Sequence, residues 1–357
     1  MGEISARFIE KSVHYVKGLF HLNQEIFIQK VELFYGDKNL HFKWVTSGYQ
    51  NFILKGVHHG KTVYIRISHS NRRPIEMIKA EFNWLIELKN AGVNVPFPVK
   101  SHFGNDYEKI LIEGNFFYVV AFSEIVGLPV DVTMADIWNK SFFEKWGETL
   151  GLIHSTTPKK RLMRPNLLEP YTPVSETVRF FTNYENKIFR ERLMEVIDQM
   201  KSLPRSKYTY GLIHNDFHQG NILVSKDRIG VIDFDDCVYG WFAQDLAVSL
   251  YHAYWQATAI GGENQSFLWL FLQHFLKGYQ KTHPLMPEVV EQIPLFLKWR
   301  DLFLYSLFLK NWSEEKMEPW QTYTIQNLQK RIISQESFVP YCYSHVIKLI
   351  EENESVS

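Results

Sequence analysis

The stretch LIHNDFHQGNILV, residues 212–224, places His214, Asp216, His218 and Asn221 within eight positions, between the apolar pairs Leu212–Ile213 and Ile222–Leu223. Three readings compete for it: a metal site built on imidazoles, an acid–base site, or a polar turn without chemistry. Two histidines four apart could bind zinc on a helix. HNDFHQGN, however, contains Gly and Asn, reads as a loop, and has no third ligand of matching type nearby. The segment VIDFDD, residues 231–236, adds more. Asn221 follows Asp216 by five residues, and Asp233, inside the short apolar strand GVIDF, follows Asn221 by twelve. The islands GNILV and RIGVIDF are separated only by SKD, so they can pair as a hairpin that brings Asn221 and Asp233 to the same end. Two oxygen ligands there suit a hard divalent cation that keeps waters and binds phosphate oxygens, which means Mg²⁺. Asp216, close by, could accept a proton from a hydroxyl nucleophile.

Bulk properties limit the alternatives. A chain of 357 residues suggests two domains, or two lobes around a cleft. Lys plus Arg and Asp plus Glu both number 39, so there is no basic footprint for nucleic acid or an anionic membrane. The two cysteines, Cys237 and Cys342, are too few for a disulfide scaffold, and a reducing cytoplasm is expected. The N-terminal MGEISARFIEKSVHYVK lacks an unbroken apolar core and does not read as a signal peptide. SFLWLFLQHFL and DLFLYSLFLKNW are too short to span a bilayer and read as buried helices.

Along the chain, residues 4–20 have helical apolar spacing. Residues 26–122 then change character. IFIQKVELFY, NFILKGV, TVYIRIS, KILIEG and NFFYVVAF are short, β-branched or aromatic runs bounded by turn signals, as in an antiparallel sheet. One helix interrupts them, between Pro74 and Gly92. From about residue 127 the pattern is mostly helical: 140–154, 176–200, 242–255, 265–280 and 294–312. The opening stretch and RIGVIDFDD are the only strand-like islands in this half.

The H-x-D-x-x-x-x-N spacing of His214, Asp216 and Asn221, followed by D-F-D at 233–235, resembles the aminoglycoside phosphotransferase/choline kinase superfamily, small-molecule relatives of the protein kinases. The resemblance implies an α+β, protein-kinase-like two-lobe fold. Residues 1–122 would form a small antiparallel-sheet nucleotide lobe with one helix. Residues 123–127 would form the hinge, and residues 128–357 a larger helical lobe carrying the catalytic loop and substrate site. ATP and Mg²⁺ are the implied cofactors, with Asp216 as catalytic base and Asn221 and Asp233 as metal ligands.

Such a fold needs a cation on a strand of the small lobe paired with a Glu on its helix. TVYIRIS offers Arg66, with Arg where protein kinases have Lys. Periodicity selects Glu81: its helical neighbours Met77, Ile78, Trp84, Leu85 and Leu88 are apolar, and a carboxylate on an apolar stripe needs a buried partner. Glu76, among Arg72, Arg73, Lys79 and Asn83, reads as solvated. VTSGYQNFIL (45–54) resembles the superfamily's nucleotide loop, with Ser47, Gly48 and Asn51 presenting backbone N–H groups to phosphates. VVAFSEIVG (119–127) resembles the hinge, where the backbone of Phe122, Ser123, Glu124 and Ile125 would bind adenine. Asp245 has two accounts, a helix N-cap or a brace beneath the catalytic loop. His214 is expected to support that loop, His218 to hydrogen-bond within it, and His154 to be a packed helix histidine beside a close contact at Gly151.

The expected activity is ATP-dependent phosphorylation of a hydroxyl on a small molecule such as an amino alcohol, sugar, antibiotic or homoserine-like acceptor, by a monomer or homodimer. The acceptor should lie near residues 160–205 and the C-terminal helices. Segment 159–207 has eleven Lys and Arg against six Asp and Glu, which argues against a polycationic acceptor. A Ser/Thr protein kinase and a non-catalytic nucleotide-binding regulator are the alternatives.

Overall fold

Period-two alternation organises the first part of the chain. In the computed structural model, which describes residues 22–37, 41–45, 51–156, 175–226, 228–261, 265–313 and 316–354, six strands form one antiparallel sheet. They are β1 (Lys43–Val45), β2 (Phe52–His58), β3 (Lys61–His69), β4 (Pro98–Val99), β5 (Glu108–Ile112) and β6 (Asn115–Ser123). Their order is β1-β2-β3-β6-β4, with β5 also paired to β6. Helix α1 (Gln24–Tyr35) covers one face and α2 (Ile75–Asn90) the other. Val63, Ile65 and Ile67 of β3 and Phe117, Val119 and Ala121 of β6 share a core with Phe27, Val31, Phe34 and Tyr35 of α1. The intervening residues of β6, Tyr118, Val120 and Phe122, pack against Ile78 and Phe82 of α2. Arg66, between Ile65 and Ile67, is thereby turned to the α2 face.

Two expectations fail in this unit. IFIQKVELFY is helical, and the sheet therefore has two helices where one was expected. The buried residues of α1 sit at 27, 31, 34 and 35, which is one stripe of a helix and not a strand alternation. The amphipathic run at 4–20 lies outside the described residues.

The chain divides into two units, Met1–Val126 and Gly127–Ser357. The second contains β7 (Leu128–Pro129), α3 (Lys140–Ser155), α4 (Glu176–Thr182), α5 (Lys187–Ser202), β8 (Tyr210–Ile213), β9 (Ile222–Ser225), β10 (Arg228–Val231), β11 (Val238–Trp241), α6 (Phe242–Gly261), α7 (Gln265–Gln280), α8 (Pro287–Asn311), α9 (Pro319–Ser334) and α10 (Tyr343–Glu354). The β9–β10 hairpin forms as expected, with Val231 opposite Ile222. Two further strands escaped the sequence reading: β7, which pairs with β9, and β11, which pairs with β8. The single helix expected over 176–200 is broken at 183–186. Asn186 restarts it, its side chain accepting from the Ile188 N–H at 3.1 Å. No helix among the described residues is long and apolar enough to cross a membrane.

Glycine sets the closest helix contact. A Cβ placed on Gly147 of α3 would lie 1.8 Å from the Phe275 carbonyl oxygen of α7, and one on Gly278 would lie 1.8 Å from the Glu144 oxygen. The two backbones touch there, and a methyl group forces them apart. Gly278→Ala is expected to cost about 3 kcal/mol, toward the upper end for overpacking, seen as a lowered urea midpoint. Gly261→Ala, where a Cβ meets nothing among the described residues within 4 Å, is the control and should not lower the midpoint. Equal midpoints for the two variants would contradict the close-contact account.

Candidate active site

The loop after β8 is held by one buried carboxylate. Asp245, fourth residue of α6, accepts the backbone N–H of His214 at 2.8 Å and of Asn215 at 2.6 Å. Being inside the helix it is not an N-cap; of the two accounts, the brace is the one the geometry fits. His154 backs it from α3, with Nε2 3.2 Å from Asp245 and Nδ1 2.8 Å from the Tyr279 hydroxyl, its ring stacked on Phe242. Burial keeps the His154 pKa below its ordinary value, although Asp245 favours the charged form.

His214 fastens the next turn. Its Nε2–H donates to the Ile232 carbonyl at 3.0 Å, and its Nδ1 accepts the Asp216 N–H at 3.3 Å. This is the neutral tautomer, and burial lowers its pKa accordingly. Asn215 adopts left-handed backbone, φ 72°, a conformation Asn tolerates better than most residues. Ser249 of α6 donates to the Phe217 carbonyl at 2.7 Å. The segment is thus tied at 214, 215, 216 and 217 before its side chains are considered.

These ties bring Asp216 and Asn221 together. Asn221 Nδ2 donates to the Asp216 carbonyl oxygen at 2.9 Å and to its Oδ2 at 3.3 Å, which leaves Asn221 Oδ1 as an acceptor for a cation. The Ile232 N–H donates to the Asn221 carbonyl at 3.0 Å, so Asp233 follows directly at the same end of the hairpin. Asp233 is not inside a strand as expected. β10 stops at Val231, and Asp233 takes left-handed backbone, φ 66°, ahead of a short 3₁₀ turn at Phe234–Asp236. Asp233 is exposed as a residue, yet surrounding protein desolvates its carboxyl. That desolvation, then the carboxylates of Asp235, Asp236 and Asp216, push its pKa well above the ordinary value. An all-oxygen set with mutually repelling carboxylates and an open side fits a hard divalent cation, whose charge would relieve the repulsion.

Asp216 behaves in the opposite way. Burial alone would raise its pKa, but the His218 imidazole and the Arg300 guanidinium hold it well below the usual carboxylate range. Arg300 Nη2 donates to Asp216 Oδ1 at 2.7 Å, and His218 Nε2 lies 3.3 Å from Oδ2. Arg300 comes from α8 and is 4% exposed; its Nε donates to His252 Nε2 at 3.1 Å, and His252 stacks on His218 at 4.4 Å. Burial, with the Arg300 charge beside it, drives the His252 pKa far down. Neither Arg300 nor His252 was singled out from the sequence. Yet Arg300 has Phe296, Leu297, Phe303 and Leu304 as its helical neighbours, the same apolar setting that marked Glu81.

In the first unit, Arg66 and Glu81 form the expected pair, buried and bidentate: Nη1–Oε1 is 2.8 Å and Nη2–Oε2 is 2.6 Å. A second guanidinium joins it. Arg73, also buried, donates to Glu81 Oε2 at 3.1 Å instead of pairing with Glu76, which is solvated as expected. Two guanidinium groups thus share one carboxylate. Asn51 lies beside them, its Oδ1 accepting from Ser68 Oγ at 2.9 Å and Arg72 Nη1 at 2.8 Å. Ser47 and Gly48 lie outside the described residues. Phe122 packs edge-on against Phe82 and lies under the Arg66 guanidinium, 5.1 Å away. The Ser123 N–H donates to the Phe97 carbonyl and the Glu124 N–H to that of Thr62, which removes both donors from any contact with a purine. The Glu124 carboxylate pairs with Lys55 at 3.0 Å, and Ile125 is half-buried. Of the region expected to meet the acceptor, residues 160–174 lie outside the described residues.

Comparison with known proteins agrees with this geometry. Amicoumacin kinase of Bacillus subtilis (strain 168) is 27% identical over 296 residues, covering 82% of this chain and 86% of that protein. A solved amicoumacin kinase in complex with AMP-PNP, Ca²⁺ and Ami superposes with a TM-score of 0.81 at 26% identity, over 93% of this chain and 99% of that one. A microcompartment-associated aminopropanol kinase shares the fold, with a TM-score of 0.66 at 17% identity over 87% and 98% of the two chains. Residues 41–284, more than half of the sequence, match the phosphotransferase enzyme family, and the chain belongs to it.

Proposed function

We propose that the chain transfers the γ-phosphoryl group of Mg·ATP to a hydroxyl of a small molecule. The observation that carries this reading is the meeting of Asp216, Asn221 and Asp233 at one end of the β9–β10 hairpin, where a carboxylate held ionised stands beside an oxygen donor set suited to a divalent cation. Similarity to an amicoumacin kinase seen with AMP-PNP and Ca²⁺ supports both nucleotide and cation.

Asn221 Oδ1 and Asp233 would hold the Mg²⁺, which when bound offsets charge on the phosphates. Arg66, aimed by Glu81 and joined by Arg73, would hold the α- and β-phosphates. Ser47, Gly48 and Asn51 would line the phosphate loop, and in the 122–125 segment, where the Ser123 and Glu124 N–H groups are already engaged, the carbonyl oxygens and the Ile125 backbone would be left to meet the purine. Asp216 would accept the hydrogen bond of the incoming hydroxyl. A carboxylate held so far down is a weak base, so its first task is orientation. The proton moves to it late, as bond formation to phosphorus makes the hydroxyl acidic. Positioning and charge stabilisation supply the rate. Arg300 acts through Asp216: it fixes Oδ1 at 2.7 Å, while Oδ2, whose contacts to Asn221 and His218 are longer at 3.3 Å, would accept from the incoming hydroxyl.

ADP release from Mg·ATP should depend on a hydroxyl acceptor, and amicoumacin is the first to test, with methylthioribose, aminopropanol and aminoglycosides beside it. Phosphate appearing only on polypeptides would overturn the reading. Arg300→Met is expected to lower kcat about 100-fold, the scale of a misplaced catalytic group, with little change in KM for ATP and partial recovery on adding guanidinium. A rise in KM for ATP alone would remove Arg300 from this role. Glu81→Gln leaves two buried guanidiniums on a neutral amide. It should cost roughly 3 kcal/mol, read as a lower denaturation midpoint without nucleotide, and an unchanged midpoint would show that the pair contributes no stability.

A further inference from the structure

Three histidines meet in the first unit, away from every residue given a role above. His58 ends β2 and His59 follows it in the β2–β3 turn; His102 lies in the loop after β4. One ring nitrogen from each can be chosen so that all lie within 4.8 Å of one another. Ring centroids are 4.1 Å apart for His58–His59, 4.7 Å for His58–His102 and 5.2 Å for His59–His102. His58 is buried, whereas His59 and His102 are exposed.

The backbones carrying these rings are fixed. Asp37 accepts the N–H of His59 at 3.0 Å and of Gly60 at 2.8 Å, which holds the left-handed turn (φ 51° and 71°) in place. The His102 N–H donates to the Phe34 carbonyl at 2.8 Å. Two of the rings, His58 and His102, contact carbonyl oxygens at the end of α1, as metal-binding imidazoles commonly do. His102 Nε2–H donates to Gly36 O at 2.9 Å, so its Nδ1 carries the free lone pair. His58 has Tyr35 O 2.9 Å from Nδ1 and Lys100 O 2.9 Å from Nε2. A neutral imidazole has one N–H and can satisfy only one of those carbonyls. The other ring nitrogen has its lone pair set against a carbonyl oxygen, and it is this nitrogen that would turn toward His59 and His102 to take a cation.

The geometry points to a metal site formed by His58, His59 and His102, taking a borderline divalent ion of the Zn²⁺, Ni²⁺ or Cu²⁺ class. Three imidazoles favour those ions over Mg²⁺ or Ca²⁺, which take oxygen ligands. Exposure of two of the rings leaves a coordination position open to water. Bound there, the ion would join the β2–β3 turn, the loop after β4 and, through the carbonyls, the end of α1. The site is independent of the phosphotransferase reading, and neither stands or falls with the other.

The test uses the full chain without an affinity tag, free of nucleotide, with Zn²⁺ as the only added metal and a chromogenic chelator as competitor. The expected result is one saturable site per chain, weakened about tenfold or more by either His59→Ala or His102→Ala. Both positions are exposed, so both variants should fold, which their melting temperatures without zinc will establish. Zn²⁺ should raise the wild-type melting temperature and leave that of the double variant unchanged. Zinc uptake by the double variant equal to that of the wild type, or no stoichiometric uptake by the wild type, would overturn the proposal.

Discussion

The second unit depends on Asp245. Its carboxylate is fully buried, and such a charge is tolerable only where donors surround it. Two of those donors are consecutive backbone N–H groups of the loop that carries Asp216, and the third is His154, which reaches in from a different helix. One side chain thereby fixes where β8 ends, where the loop turns and how α3 sits against α6. The left-handed backbone at Asn215 is held within this arrangement, and the placement of Asp216 and Asn221 follows from it.

Charge is then divided across a short distance. Asp216 has cationic or donor partners on both oxygens, while Asp233, at the same end of the hairpin, is crowded by the carboxylates of Asp235, Asp236 and Asp216. Pairs of titratable groups whose surroundings push their pKa values apart mark divided chemical tasks. On the proposed reading, the division would separate a carboxylate that stays ionised to orient a hydroxyl from one that gains by meeting a metal ion. Arg300 can hold its place because the next residue, Asp301, is itself anchored. Tyr251 donates to Asp301 at 2.8 Å and Arg331 pairs with it at 2.9 Å, tying α8 to α6 and α9.

Much of this was legible in the sequence because the chemistry is local. Asp216, Asn221 and Asp233 lie on one loop and one hairpin, and Glu81 declared itself as a carboxylate on an apolar stripe. The same stripe argument applied to α8 would have found Arg300. What stayed hidden was non-local or depended on backbone detail. The partner of Arg73 could not be read from its neighbours in the chain, since Glu76 was nearer in sequence than Glu81. IFIQKVELFY is rich in strand formers, and only the spacing of its buried positions betrays a helix, a case of packing overriding propensity. The Asp233 backbone turns left-handed where an apolar run suggested a continuing strand. His102 lies 43 positions from His59, and nothing in either segment announces the other.

The account comes down to whether Asp216 acts on the acceptor hydroxyl without contributing to nucleotide binding. Asp216→Asn keeps the shape of the side chain and removes its charge. The most direct measurement pairs two readings on that variant: its affinity for Mg·AMP-PNP, and transfer of labelled γ-phosphate from ATP to the acceptor. The account predicts affinity close to that of the wild type and transfer reduced by about 1,000-fold or more, as expected when the orienting carboxylate is lost. Transfer at a rate near the wild type's would contradict it, and so would an equal fall in nucleotide affinity.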